Sequence, residues 1–199
     1  MKLIQILITF ALFIFLAVVT AKFATKRWEG NTSKLTTVGV ILAIISAAGS
    51  VFIHGLGMHN IKTVILFCVF LYASYGDIKT HEADDFIHII VFTAAMIAKP
   101  AVEIPAGILS AILIGGTMLL VAVLIPGAGI GGADIKFAAA CAFLSDVTGG
   151  FFGLGLGAFI GLLCNSPFRK KKEREEAPKA FPMLPYLSCS YMLIFLLSF

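Results

Sequence analysis

Long apolar runs separated by short polar segments make up most of this chain. We interpret each run as a helix lying in or across a lipid bilayer, so the pattern predicts an all-α, polytopic transmembrane bundle of about eight helices. Their predicted ranges are 3–21, 37–56, 61–76, 86–98, 104–125, 134–147, 149–165 and 184–198. The runs 86–98 and 134–147 are shorter than the roughly 20 residues that a perpendicular crossing needs, so an interfacial position stays open for both.

Composition indicates the same class of protein. Of the 199 residues, 59% are hydrophobic and 13% are charged, and the mean hydropathy is +1.01. A soluble domain has roughly 25% charged residues, so the bilayer must act as solvent for this much apolar surface. We therefore expect a single integral membrane domain over residues 1–199. The four cysteines lie scattered within apolar runs and are expected to be packing residues.

Basic residues predict the orientation of the first helix. Only Lys2 precedes the first run, whereas Lys22, Lys26, Arg27 and Lys34 follow it, which is the reverse of a secretory signal peptide. Because basic residues are retained on the cytoplasmic side, we expect a retained helix with its N-terminus outside.

The later loops follow from that choice. Eight crossings would leave the C-terminus outside and four loops in the cytoplasm, at 22–36, 77–85, 126–133 and 166–183. Residues 169–179 hold six basic side chains with no aromatic residue among them, so we expect a loop that fixes topology and no nucleic-acid partner.

Two aspartates at the ends of apolar runs are the strongest candidates for chemistry. Asp77 lies in YGDIKTHEADDF (75–86) and Asp134 in GAGIGGADIKF (127–137). An ionisable group at membrane depth is costly and therefore a functional candidate by default. Either acid alone could instead cap a helix or pair with a nearby lysine, Lys79 or Lys136.

Considered together, the two aspartates indicate a catalytic pair. Both begin the sequence Asp-Ile-Lys and both lie on the same predicted face of the membrane. Two buried carboxyl groups close together cannot both ionise and so share one proton. The charged member can take a proton from water while the protonated member donates to a peptide carbonyl. We expect Lys79 and Lys136 to orient or charge-balance this pair.

Four glycines precede Asp134: Gly127, Gly129, Gly131 and Gly132. They leave little side-chain bulk where a substrate backbone could approach. The stretch 127–132 also fits G-x-G-x-x-G, but it follows a long apolar run instead of a strand in a βαβ unit, so we exclude a dinucleotide site.

These residues resemble the type IV prepilin peptidases, the leader peptidases of the GxGD aspartyl class. Asp77-Ile78-Lys79 is similar to the family's first D-x-K/R motif, and Gly131 to Lys136 is similar to its second, glycine-preceded motif. The resemblance covers about residues 60–199, with two additional helices in 1–59. It implies that Asp77 and Asp134 are catalytic and that the chain is an aspartic endopeptidase of the cytoplasmic or inner membrane. It also implies that prepilin-like leader peptides are cut on the cytoplasmic side, without a cofactor.

The chain departs from the family pattern in three places. Where the first motif commonly continues into Ile-Pro, this chain has Ala83-Asp84, and we expect Asp84 to be the N-cap of the helix near Phe86. The glycine usually preceding the second aspartate is Ala133. The loop after the first helix is short and without cysteine, whereas bifunctional relatives carry a zinc-binding methyltransferase loop there, so methylation is not predicted.

Other polar residues give weaker signals. Asp84 and Asp85 are rivals for the catalytic role, although helix-cap positions explain both. The sequence HEADD does not fit H-E-x-x-H, so we expect no metal site from His81, Glu82, Asp85 and His88. Four glycines recur along one face of the seventh helix and predict close helix packing, within the protein or in a homo-oligomer: Gly149, Gly153, Gly157 and Gly161.

Two other functions remain open at this point. Paired acids in a bundle also act as proton relays, so a proton-coupled transporter is an alternative. A non-catalytic pilus or secretion assembly subunit is another, and in that case both aspartates could be replaced by asparagine without loss of function.

Overall fold

The computed structural model describes residues 2–97, 99–125, 130–165 and 182–197. Within these ranges the chain forms eight α-helices and one short 3-10 turn, with no strand, so the predicted all-α bundle of eight helices is confirmed. The helices are α1 (Lys2–Arg27), α2 (Thr32–His54), α3 (Met58–Thr80), α4 (Phe86–Met96), α5 (Ile104–Leu124), α6 (Gly132–Ala142), α7 (Val147–Asn165) and α8 (Leu184–Leu197).

Two helices extend beyond the C-terminal ends of their apolar runs. In α1 the last turns alternate between exposed Lys22 and Lys26 and buried Ala21, Ala24 and Thr25, so the helix continues as an amphipathic one past the predicted end at residue 21. In α3 the helix ends at Thr80 instead of residue 76, because the left-handed residue that terminates it is His81 (φ 57°). Asp77 is therefore helical and lies in the last turn of α3.

The predicted helix 134–147 is wrong at its C-terminal end. The helix α6 stops at Ala142, and α7 begins at Val147 instead of residue 149. The reason is Asp146, whose Oδ1 accepts the N–H of Gly149 at 2.7 Å and so caps the first turn of α7. An apolar run does not reveal that break.

In the part of the chain that the structure describes, five segments are long and apolar enough to cross a membrane. They are Lys2–Arg27, Thr32–His54, Met58–Thr80, Ala101–Leu124 and Val147–Cys164. The chain is therefore a multi-pass membrane protein. The helices α4 and α8 are apolar but shorter, and α6 has only eleven residues. Of the eight predicted crossings, five thus correspond to helices that are long enough to span a membrane. The orientation of the N-terminus stays a prediction.

The bundle is built around α3. The apolar window of α3 is 61% buried, whereas that of α1 is 11% buried and presents large side chains such as Leu3, Leu7 and Phe15 outward, as a lipid-facing helix does. Helices α1, α2, α4 and α8 all pack against α3, and α6 contacts α4, α5, α7 and α8. This arrangement brings the C-terminal end of α3 close to the N-terminal ends of α6 and α8.

The glycine face of α7 packs against α8 of the same chain. A Cβ added at Gly153 would lie 2.4 Å from the Tyr191 ring, and one at Gly157 would lie 2.8 Å from Ser190 Oγ. Gly149 is crowded by its own preceding turn, and Gly161 is also buried. The predicted close packing is therefore intramolecular. The homo-oligomer expected through these four glycines is not supported, because α8 covers Gly153 and Gly157.

Candidate active site

Asp77 is held by the N-terminus of α8. Its side chain is 6% exposed, and its Oδ2 accepts the backbone N–H of Leu184 at 2.8 Å. Leu184 is the first residue of α8, where backbone N–H groups have no partner within the helix and the helix dipole is positive. A carboxylate is the natural acceptor at that position. The contact joins two parts of the chain that are 107 residues apart.

Asp134 is held by the turn that starts α6. Its side chain is 8% exposed, and its Oδ2 accepts the N–H of Gly131, the N-cap residue, at 2.9 Å. This is the half of a capping box in which the third helical residue reaches back to the N-cap N–H. The carboxyl is thereby fixed at the start of α6 instead of pointing to solvent.

The electrostatics of Asp134 connect the two acids. The pKa of Asp134 is raised to about 6: burial raises it most, the Gly131 N–H lowers it, and the charge on Asp77 raises it. A nearby like charge disfavours the ionised form of a carboxyl, most strongly where water is largely excluded. Asp77 and Asp134 are thus both buried at one end of the bundle, where their charges interact.

The turn before Asp134 is open on its outer side. Gly131 and Gly132 are exposed, and a Cβ added at Gly132 would meet nothing within 4 Å. A Cβ at Gly131 would lie 3.3 Å from Asp134 Oδ2, close enough to crowd that oxygen. The backbone of an extended peptide could approach Asp134 here. Gly127 and Gly129 lie outside the described residues.

The two lysines of the repeated Asp-Ile-Lys motif have other contacts. Lys136 Nζ donates to Asp85 Oδ1 at 2.9 Å, in an ion pair that is largely exposed. Lys79 Nζ lies 5.9 Å from the centroid of the Tyr75 ring. The orienting role expected for Lys79 and Lys136 stays a prediction, and these contacts give it no support.

The rival acids are bound elsewhere. Asp84 Oδ2 accepts the hydroxyl of Tyr72 at 2.5 Å, and its Oδ1 accepts Arg27 Nη2 at 3.3 Å. The N-cap role expected for Asp84 is wrong, because Asp85 takes that position in front of α4 and makes no side-chain cap bond there. The hydrogen bond from Lys136 lowers the pKa of Asp85, which is exposed. Neither acid shares the burial of Asp77 and Asp134.

Two features near the pair were not identified from the sequence. Gly76 lies against Trp28, since a Cβ at Gly76 would be 2.9 Å from the indole ring, and this packing ties the end of α1 to the residue preceding Asp77. His88 of α4 is 9% exposed, and neither ring nitrogen has a hydrogen-bond partner in the described ranges. In those ranges no group of three His, Cys, Asp or Glu side chains is placed to hold a metal ion, and this includes the side chains of the HEADD segment. A glycine directly before a helix-end aspartate is the signal that could have pointed to Gly76.

The comparisons with known proteins agree with this geometry. A model of the type IV leader peptidase family matches residues 64–165, a segment that runs from α3 to the end of α7 and contains both aspartates. The match is shorter than the resemblance over about 60–199 and does not include α8. Neither the curated proteins nor the solved structures gave a match. Because the family model covers more than half of its residues, this chain belongs to the type IV leader peptidase family.

Proposed function

We propose that this membrane peptidase is an aspartic endopeptidase in which Asp77 and Asp134 cleave the leader peptide of type IV prepilin-like precursors. The observation that carries the proposal is that Asp77 and Asp134 are both buried at the same end of the bundle, each held by a backbone N–H at the start of a helix. Two carboxyl groups and one water molecule suffice for peptide hydrolysis, since one group activates the water and the other protonates the carbonyl.

The surroundings of the two acids support different roles for them. With a pKa of about 6, Asp134 can hold the shared proton up to about pH 6 and donate it to the scissile carbonyl oxygen. Asp77, whose Oδ2 accepts the Leu184 N–H, is then the carboxylate that takes a proton from water. The water oxygen bonds to the carbonyl carbon. When the intermediate collapses, the C–N bond breaks, the proton held by Asp77 passes to the leaving amine, and a hydroxyl of the intermediate returns a proton to Asp134.

Charge distribution supports cleavage on the cytoplasmic side. Basic residues at the Asp77 end of the helices outnumber those at the other end, where Lys2, Lys62 and Lys99 lie. Those at the Asp77 end are Lys22, Lys26, Arg27, Lys34, Lys79 and Lys136. An excess of basic residues favours the cytoplasmic side, so the N-terminus would be outside and the aspartates would face the compartment in which precursors are made. The cytoplasmic or inner membrane is the location that fits this arrangement.

The experiment uses the full chain, purified in detergent, with a precursor whose short basic leader precedes an apolar helix. Asp77→Asn and Asp134→Asn should each lower the cleavage rate by about 10²- to 10⁴-fold, the range typical of losing one general acid or base. Asp85→Asn is the matched control, because Asp85 is an exposed aspartate at the same end of the bundle whose ion pair with Lys136 lies on the surface. A chelator should leave the rate unchanged.

Circular dichroism and thermal unfolding establish that each variant is folded. A cleavage rate equal to that of the parent chain in a folded Asp77→Asn or Asp134→Asn protein would rule out the aspartic mechanism. Pilus or secretion assembly that survives the double replacement would favour the non-catalytic assembly subunit.

A further inference from the structure

A second polar site lies at the opposite end of α3 from Asp77. A cavity of about 570 Å³ is lined there by residues from the start of α3, the segment before α5, the α6–α7 turn and the end of α8. Lys62, which lines it, is about 22 Å from Asp77 along the helix axis at a rise of about 1.5 Å per residue. The cavity is therefore separate from the two aspartates and plays no part in the chemistry proposed above.

Two lysines supply positive charge to this cavity. Lys62 is 9% exposed, and its Nζ donates to the carbonyl of Ala95 at 3.5 Å. Lys99 Nζ donates to the carbonyl of Phe143 at 3.0 Å. An ammonium has three N–H donors and no acceptor, so these contacts leave donors over for a bound acceptor. The charge on Lys62 has no carboxylate salt-bridge partner in the described ranges.

Two acids supply negative charge at the same cavity. Glu103 and Asp146 both line it and both are exposed. Burial lowers the pKa of Lys99, whereas the charges on Glu103 and Asp146 raise it, so the acids and this lysine are close enough to interact. The lining thus carries two cations, the buried Lys62 and the half-buried Lys99, and two exposed anions. A simple anion would meet the acids and a simple cation would meet the lysines, whereas a zwitterion complements both.

The rest of the lining is suited to an amphiphile. Phe195 and Ile194 of α8 and Ala106 of α5 form an apolar wall. His59 also lines the cavity, and its buried Nδ1 has no hydrogen-bond partner in the described ranges. His59 is fixed between His54, at 4.0 Å between ring centroids, and Phe195, at 5.3 Å. A volume of this size is typical of sites that hold small organic ligands.

We propose that this cavity binds the phosphate–ammonium headgroup of a zwitterionic phospholipid. The phosphate accepts from Lys62 and Lys99, and the primary ammonium donates to Glu103 and Asp146. The apolar wall receives the part of the lipid next to the headgroup. A primary ammonium is required because a trimethylated one has no N–H to donate to a carboxylate.

The test measures thermal unfolding of the purified chain in detergent during titration with defined lipids. Phosphatidylethanolamine should raise the melting temperature more than phosphatidylglycerol, which has no ammonium, or phosphatidylcholine, whose ammonium is methylated, because binding to the native state alone stabilises it. Glycerophosphoethanolamine, the headgroup without acyl chains, and inorganic phosphate should give no comparable shift. Equal shifts from phosphatidylethanolamine and phosphatidylglycerol, or an equal shift from either soluble compound, would overturn the proposal.

Variants identify the site. Lys62→Gln should weaken phosphatidylethanolamine binding by about tenfold, the effect typical of losing one charge-assisted hydrogen bond. Lys2→Gln is the matched control, an exposed lysine at the same end of the bundle, and should bind normally. Since Lys62 is buried and its replacement could affect folding, Glu103→Gln at an exposed position gives an independent measure. This variant should no longer bind phosphatidylethanolamine more tightly than phosphatidylglycerol. An unchanged preference for phosphatidylethanolamine would contradict the proposal.

Discussion

The two ends of α3 present a buried charged side chain each, but they stabilise it in different ways. At one end Asp77 and Asp134 accept backbone N–H groups from the first residue of α8 and from the N-cap of α6. At the other end Lys62 and Lys99 donate to backbone carbonyls and face Glu103 and Asp146 across a cavity. The acid end thus combines like charges and the lysine end opposite charges. Like charges held together favour a shared proton, whereas opposite charges favour a bound zwitterion.

One helix contributes to both ends. Leu184, at the start of α8, donates to Asp77, while near its other end the Leu196 carbonyl contacts His54 and the Phe195 ring stacks on His59. The position of α8 is set by its packing on the glycine face of α7. A change that displaces α8 should therefore affect both ends, whereas a change in protonation should affect the acid end alone.

After replacement of either aspartate, the largest expected effect is that of pH on the acid end. If Asp134 is the general acid, kcat/KM should fall about tenfold per pH unit well above its pKa of about 6, and so about fiftyfold between pH 6 and pH 8. The measurement is cleavage of the leader-bearing precursor across that range, with Asp85→Asn as a control that keeps the same profile. A rate that instead rises through pH 6 would identify Asp134 as the base.

The same group predicts the direction of a stability change. The pKa of Asp134 in the folded chain lies above its ordinary value of 3.8. The folded state therefore binds this proton more tightly than the unfolded state does. Its contribution to stability is complete below pH 3.8 and is lost as the pH rises through 6, by about 3 kcal/mol at most. Thermal unfolding of the parent chain should show this decline, and Asp134→Asn should remove it.

The second effect in size is that of overpacking between α7 and α8. In Gly153→Ala the new methyl group would lie 2.4 Å from the Tyr191 ring, which is buried and whose hydroxyl donates to the Gly150 carbonyl at 3.1 Å. We expect a loss of about 1–3 kcal/mol in the free energy of unfolding. Slower cleavage and weaker phosphatidylethanolamine binding should accompany it.

Gly155→Ala is the matched control on the same helix. Nothing lies within 4 Å of a Cβ at Gly155, so this variant should be neutral or stabilised by up to about 1 kcal/mol from helix propensity. If Gly153→Ala and Gly155→Ala have equal melting temperatures, the contact between Gly153 and Tyr191 does not hold α8 in place. The argument that α8 couples the acid end to the lysine end would then fail.

The sequence was sufficient for those features that depend on local composition. Apolar runs located all eight helices, and the two Asp-Ile-Lys motifs located the two acids that are buried at one end of the bundle. Helix ends were less predictable, because they depend on single polar contacts such as the cap that Asp146 makes to Gly149. Hydropathy does not register such contacts.

Partners that are distant in the chain could not be predicted. The hydrogen bond from Leu184 to Asp77 joins residues 107 positions apart, and the pairing of Asp84 with Arg27 spans 57. No local pattern specifies either contact. Such contacts determine which acid is buried and which is exposed, and therefore separate Asp77 from its rivals Asp84 and Asp85.

The smallest expected effect is that of Lys136→Gln. Lys136 pairs with Asp85 on the surface, where solvent screens the charges and such pairs contribute little. We expect the melting temperature, the cleavage rate and the pH profile all to stay within error of the parent chain, with Lys34→Gln as the exposed control at the same end of the bundle. A loss of cleavage with unchanged melting would mean that Lys136 leaves Asp85 and acts on the aspartate pair when substrate is bound. That result would restore the charge-balancing role inferred from the Asp-Ile-Lys motif, and it would make the acid end, like the lysine end, a site of opposite charges.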